Sequence, residues 1–198
     1  MTLESKNTSS TKKKKSNNFD IYLASSSPRR AEILRNLKVN FEILKCDYDE
    51  SNFTDESPED FVVKNTQQKC LAAHAIRQQK KLPNKPILTA DTIVALDGKI
   101  FGKPENKDHA IAMLLEFSGR RHSVMTCVCF GETDPQSDAE VCMMFDLVRT
   151  EIQFANLTLI NVQNIGKPMN QKTKPVLMAF KVMVVYLLNL WKAAIATL

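Results

Sequence analysis

A chain of 198 residues suits one domain and can bury a sizeable core, and 43% apolar with 25% charged residues is the composition of an ordinary globular protein. The net charge of +5 invites a nucleic-acid reading, but residues 1–18 carry five lysines (Lys6 and Lys12 to Lys15) against Glu4 alone, so almost all of the excess sits in that tail and the body is nearly neutral.

The tail, rich in Ser, Thr, Asn and Lys, is expected to be a disordered, solvated arm. It has no apolar signal-peptide core, so a cytoplasmic protein is expected, with no membrane and no nucleic acid among its partners. Phe19 to Ala24 is an apolar run with β-branched and aromatic members, which predicts a strand. Ser27-Pro28 then offers an N-cap and a first-turn proline, and Ile33, Leu34 and Leu37 share one face of the following helix. A strand is expected over residues 40–46. Ser57-Pro58-Glu59-Asp60 starts a second helix, running to about Lys80, where Pro83 and Pro86 prevent its continuation.

Ile87 to Leu96 reads as a buried strand interrupted by Thr89, Asp91 and Thr92. Asp97-Gly98 predicts a hairpin into Lys99 to Phe101. Asn106 is placed to cap a third helix, closed by Gly119. Ser123 to Phe130 and Val141 to Phe154 read as two strands around a polar loop. Strands alternating with helices argue for an α/β domain. Five scattered cysteines without a Cys-x-x-Cys pair and three separated histidines argue against zinc, and Cys127 with Cys129 reads as one strand face.

The residues with chemical potential cluster in a few places. Ser25, Ser26, Ser27, Arg29 and Arg30 lie where a strand passes into a helix. Backbone N–H groups, hydroxyls and forked guanidinium donors there suit a polyphosphate. The plain alternative is a capped helix with two surface arginines. Asp91 inside an apolar strand is costly to bury unless a cation or donor meets it, which makes it a candidate metal ligand or general base; an Asp capping a neighbouring turn is the alternative. Gly102-Lys103-Pro104 and the acidic pair Asp49-Glu50 are weak signals by themselves.

In combination these segments resemble the Maf family of nucleoside triphosphate pyrophosphatases. Leu23-Ala24-Ser25-Ser26-Ser27-Pro28-Arg29-Arg30 matches its N-terminal signature. Asp49-Glu50, Lys69-Cys70, Ala90-Asp91-Thr92-Ile93-Val94, Gly102-Lys103-Pro104 and the stretch from Phe117 to Thr126 match further blocks in the same order.

The resemblance implies a mixed α/β sheet with flanking helices and a cleft between two lobes. It implies hydrolysis between the α and β phosphates of a nucleoside triphosphate, with Mg²⁺ or another divalent cation. Asp91 is then the expected base and, with Glu50, a metal ligand. Ser25, Ser27, Arg29, Arg30, Lys69, Thr92 and Lys103 are the expected substrate-binding residues, and a homodimer is a possible assembly. Arg29 after Ser-Pro and Thr92 after Asp91 match the branch of the family that acts on dTTP, UTP and modified pyrimidine nucleotides.

The chain departs from the family pattern near its end. Gly166-Lys167-Pro168-Met169-Asn170 resembles the start of a late glycine-rich motif, but no glycine follows Gly166. A change of coding frame near Gln171 to Lys174 would account for this, since the neighbouring frame permits Ala-Gly-Ala-Tyr-Gly-Ile-Gln from Lys174 onward. The expected organisation is therefore a basic tail (1–18), a Maf-like domain (19–170) and a divergent apolar segment (171–198). A catalytically inactive remnant that at most binds nucleotide or a protein partner is the alternative reading.

Overall fold

The computed structural model describes residues 18–48, 56–102, 104–134 and 140–159. The basic tail, Asp49 and Glu50, Lys103 and the divergent segment from Gln171 lie outside these residues.

Among these residues six strands form one mixed sheet, with helices on both faces. Strand β1 (Ile21–Leu23) leads into helix α1 (Pro28–Asn36), followed by β2 (Phe41–Ile43) and helix α2 (Pro58–Gln79). Then come β3 (Ile87–Leu96), β4 (Lys99–Phe101), helix α3 (Lys107–Glu116), β5 (Arg121–Thr133) and β6 (Val141–Gln153). The strand order is β2-β1-β3-β5-β6, with β4 also on β3. β1 runs parallel to both β2 and β3, whereas β5 runs antiparallel to both of its neighbours, β3 and β6.

Local sequence explains most element boundaries. Ser57 caps α2, its hydroxyl accepting from Asp60 N–H at 3.1 Å, with Pro58 in the first turn and Glu59 and Asp60 beside the positive end of the dipole. Asn106 caps α3 by accepting from His109 N–H at 2.8 Å. Asp97 and Gly98 both adopt positive φ, as a type I′ hairpin turn requires, and join β3 to β4. The third helix stops sooner than expected. Phe117 is its C-cap, and Gly119 lies beyond it at φ 65°, packed so closely on Asn156 that a Cβ would collide.

The core lies in layers on either side of the sheet. On one face Ile21, Leu23, Leu88, Ala90, Val128 and Phe130 pack against Ala31, Ile33 and Leu34 of α1. On the other, Ile93, Ala95, Met125 and Cys127 meet Phe61 and Val62 of α2, while Tyr22, Ala24 and Ile87 meet Ala73. Alternation along each strand sorts the residues between faces. Fully burying a side chain such as Leu34 or Phe130 contributes about 1.5–3 kcal/mol. Cys127 and Cys129 do lie on one face of β5, both buried and facing α2.

His122 is a core residue packed between Phe117 and, edge-on, Phe154, each ring centre 4.7 Å away. Among the described residues no helix is long and apolar enough to cross a membrane.

Candidate active site

The connections around β1 reverse direction. From β1 the chain crosses through α1 on one face to β2 at the outer edge. From β2 it returns through α2 on the opposite face to β3, on the other side of β1. In parallel α/β sheets this switch point, at the carboxyl ends of the strands, opens a crevice that binds ligands. Here the strand-to-helix turn at Ser25 to Pro28 lies at the carboxyl end of β1, beside the middle of β3.

That middle is unusual. β1 pairs with β3 only at Ile87 and Leu88, and β4 joins the same edge only from Val94 onward. Residues 89–93 of β3 have β5 on one side and, among the described residues, no strand partner on the other. Arg30 fills the gap. Its Nη1 donates to the Ala90 carbonyl at 2.8 Å and to Ser25 Oγ at 3.1 Å, and its Nη2 donates to Thr92 Oγ1 at 3.3 Å. The Thr92 hydroxyl is also 3.0 Å from that of Thr126 on β5. One guanidinium therefore ties α1, the end of β1 and β3 together.

Arg30 was expected to hold phosphate. The structure shows several of its donors already spent on protein atoms, because a sheet edge with an unsatisfied carbonyl needs a donor. Ser27 occupies the expected N-cap position of α1, but its hydroxyl makes no capping bond, and Ser27 N–H donates to Ser25 Oγ at 3.3 Å. Arg29 is exposed beside it, and Thr92 is exposed at the gap.

Asp91 lies in the interior of β3, not at a strand end, and its side chain faces α2. It is 7% exposed, as is Lys69, and Asn65 is 6% exposed. Asn65 Nδ2 donates to Asp91 Oδ2 at 2.5 Å, and Lys69 Nζ lies 3.7 Å from Oδ1. A buried carboxylate is tolerated when a cation and hydrogen-bond donors replace water, and both are present. The Thr89 hydroxyl, two residues earlier, donates to the Thr66 carbonyl at 3.2 Å and further fastens β3 to α2.

The thiol of Cys127, paired with Asp91 across β3 and β5, is pushed up to about 11, chiefly by burial; Thr66 pulls it down, while Asp146 and Asp91 add to the rise. It remains a neutral neighbour of the carboxylate.

The structure thus brings Ser25, Ser27, Arg29, Arg30 and Thr92 to one side of β3 and Asp91 with Lys69 to the other, around the same gap. Glu50 and Lys103 lie outside the described residues. For a divalent cation, the donor chemistry is suitable: Asp91 offers hard carboxylate oxygens of the kind Mg²⁺ prefers, and Mg²⁺ is commonly held by one or two carboxylates plus substrate phosphates. Among the described residues no group of three or more His, Cys, Asp or Glu is placed to hold a metal ion.

Sequence reasoning missed Asn65. It stands four residues before Lys69, hence one turn away on the same helix face, and that spacing was the available signal. Also missed was the buried contact of Cys70 on α2 with Cys129 on β5, in which hydrogen bonding to Cys129 holds Cys70 below the ordinary thiol range and Cys129 is pushed up.

The family profile described as Maf-like protein matches residues 20–172. A dTTP/UTP pyrophosphatase of Pasteurella multocida is 38% identical over 160 residues, covering 77% of this chain and 76% of the relative. A dTTP/UTP pyrophosphatase of Yersinia pestis is 36% identical over 154 residues, 76% of this chain and 73% of the relative. The chain belongs to the Maf-like protein family. Among solved structures, the Ham1 protein of Staphylococcus aureus aligns with a TM-score of 0.44 and 19% identity, over 67% of this chain and 71% of that one.

Proposed function

We propose that the protein hydrolyses nucleoside triphosphates, of the dTTP and UTP type, to the monophosphate and pyrophosphate. The observation that carries this reading is the constellation at the switch point: a buried, compensated Asp91 on one side of β3 and the Ser25 to Arg30 turn on the other. The names of the relatives and the match of Arg29 and Thr92 to the pyrimidine branch support the substrate class.

In this reading water attacks the α-phosphorus and gives a proton to the Asp91 carboxylate, while the bond to the bridging oxygen breaks and pyrophosphate leaves with the electron pair. Asp91 sits in a dry, preorganised place where its orientation costs nothing at the moment of reaction. Lys69, Arg29 and Lys103 supply positive charge to the phosphates, Ser25 and Ser27 supply hydroxyl donors, and Arg30 keeps the turn registered on β3. Mg²⁺ bound by Asp91 and Glu50 would neutralise developing charge on the phosphate oxygens. The activity fits a housecleaning role in nucleotide metabolism, in the cytoplasm.

The test is pyrophosphate release from purified protein with Mg²⁺ across dTTP, UTP, CTP and 7-methyl-GTP, beside Asp91→Asn. Release with dTTP or UTP that disappears in the variant is expected. No release with any of the four from folded protein would overturn the reading and favour an inactive, nucleotide-binding remnant. Sequencing the coding DNA around Lys174 would then show whether the frame changes there.

A further inference from the structure

The buried side of β3 holds a residue that neither the expected site nor the family resemblance assigned. Asn65 donates from Nδ2 to Asp91 Oδ2 at 2.5 Å, across a sequence separation of 26 residues, with both side chains buried. We propose that Asn65 is a positioning residue for Asp91: its amide holds Oδ2 in place and leaves Oδ1, beside Lys69, as the oxygen presented to the reacting water. This inference rests on the reading of Asp91 as the base.

The chemistry of the two donors explains the division. Lys69 is a flexible cation whose charge a bound polyphosphate would attract away from the carboxylate. Asn65 is neutral, does not titrate, and has a short side chain with few rotamers, so it offers the same donor to Asp91 whether or not phosphate is present. Its hydrogen bond orients the carboxyl group without adding a charge beside it. The helix that carries it is anchored next door, through Thr66 Oγ1 on the Val62 carbonyl at 2.6 Å and Thr89 Oγ1 on the Thr66 carbonyl at 3.2 Å. The amide is therefore held on a rigid element, as a positioning group requires.

Among the described residues the other ionisable groups around Asp91 are these. Lys69 faces it from α2, and the Cys127 thiol faces it from β5 and stays protonated. Asp146 of β6 is within electrostatic reach of Cys127, and Arg30 approaches the β3 backbone from the α1 side at Ala90.

Two measurements on Asn65→Leu, which removes the donor at similar volume, test the proposal. One is kcat and KM for pyrophosphate release with dTTP. The other is the carboxyl-carbon NMR signal of Asp91 at one fixed pH in ligand-free protein. Loss of the hydrogen bond should displace and broaden that signal, because the carboxyl group is no longer held in one orientation. kcat should fall by about tenfold or more while KM changes little, the mark of a misplaced reacting group rather than of weakened binding.

Should Asn65→Leu not fold, Asn65→Ser, too short to reach Asp91, carries the same expectation. An unmoved Asp91 signal, or a rise in KM as large as the fall in kcat, would overturn the proposal and leave Asn65 a packing residue. Absence of turnover in the wild-type protein would count against the base reading alone, because the NMR signal still decides whether Asn65 holds Asp91.

Discussion

The two sides of β3 solve the same electrostatic problem in opposite ways. On the α1 side, Ser25, Arg30 and Thr92 are half-buried or exposed, and Arg30 shares its donors among a backbone carbonyl and two hydroxyls. Charge there stays in contact with water and costs little. On the α2 side, Asp91, Lys69 and Asn65 are buried, and the carboxylate is stable only because a cation and an amide replace its hydration. A single strand thus separates a solvated cationic edge, suited to phosphate, from a dry carboxylate, suited to moving a proton. Disturbing the first side should weaken binding and local registration, whereas disturbing the second should affect chemistry and folding together.

The largest expected effect comes from Asp91→Asn, which should lower kcat for pyrophosphate release by about 10²–10⁴, the usual contribution of a general base. Steady-state kinetics with dTTP checks it. Lys69→Met should come next. It leaves a buried carboxylate without its cation, so urea unfolding should show a loss on the order of 3 kcal/mol. The double replacement Lys69→Met with Asp91→Leu should recover most of that stability and none of the activity, since an apolar pair of similar volume is often as stable as a buried ion pair. Were the double variant no more stable than the single, the pair would be acting through packing and the contrast between the two sides would weaken.

Arg30→Lys sharpens the comparison from the other side. A lysine keeps the charge but cannot reach the Ala90 carbonyl and both hydroxyls in forked geometry. Stability should fall by about 1–2 kcal/mol in urea unfolding, the cost of leaving a sheet carbonyl poorly satisfied. KM should rise more than kcat falls.

A smaller effect concerns pH. Burial, opposed by the Arg120 backbone carbonyl and by Glu151, holds the His122 imidazole below its ordinary value. The unfolded chain then binds the proton more readily than the folded one. Stability should therefore be fully present above the unfolded value, near 6.5, and should decline as pH falls below it. Thermal unfolding from pH 7.5 to 5.5 checks this, and His122→Phe should flatten the dependence. The smallest change is expected from Arg149→Ala, which removes exposed pairs with Glu59 and Glu151 and should leave Tm unchanged within error.

Much of this arrangement was legible in the chain. Ser57-Pro58 marked the start of α2, Ile87 to Leu96 coincides with β3, and Asp97-Gly98 marked the turn into β4. These features depend on local backbone preferences and on apolar runs, which act within a few residues. The expected strands at Ser123 to Phe130 and Val141 to Phe154 were found, with β5 extended at both ends because its ladder with β6 runs from Arg121 to Thr133. Asp91 stood out because an acid in an apolar strand demands an explanation.

What tertiary structure alone decided was which groups answer that demand. The amide of Asn65 is brought onto Asp91 by the packing of α2 across β3, and nothing in the local pattern of either segment specifies the partner. Arg30 was visible as a cation, but that its guanidinium would be taken up by the Ala90 carbonyl follows from β1 and β4 covering only the two ends of one β3 edge. Local preference sets the elements because its energies are short-ranged. Partners across 26 or 60 residues are set by the order of strands and the faces of helices, which become defined only when the sheet assembles.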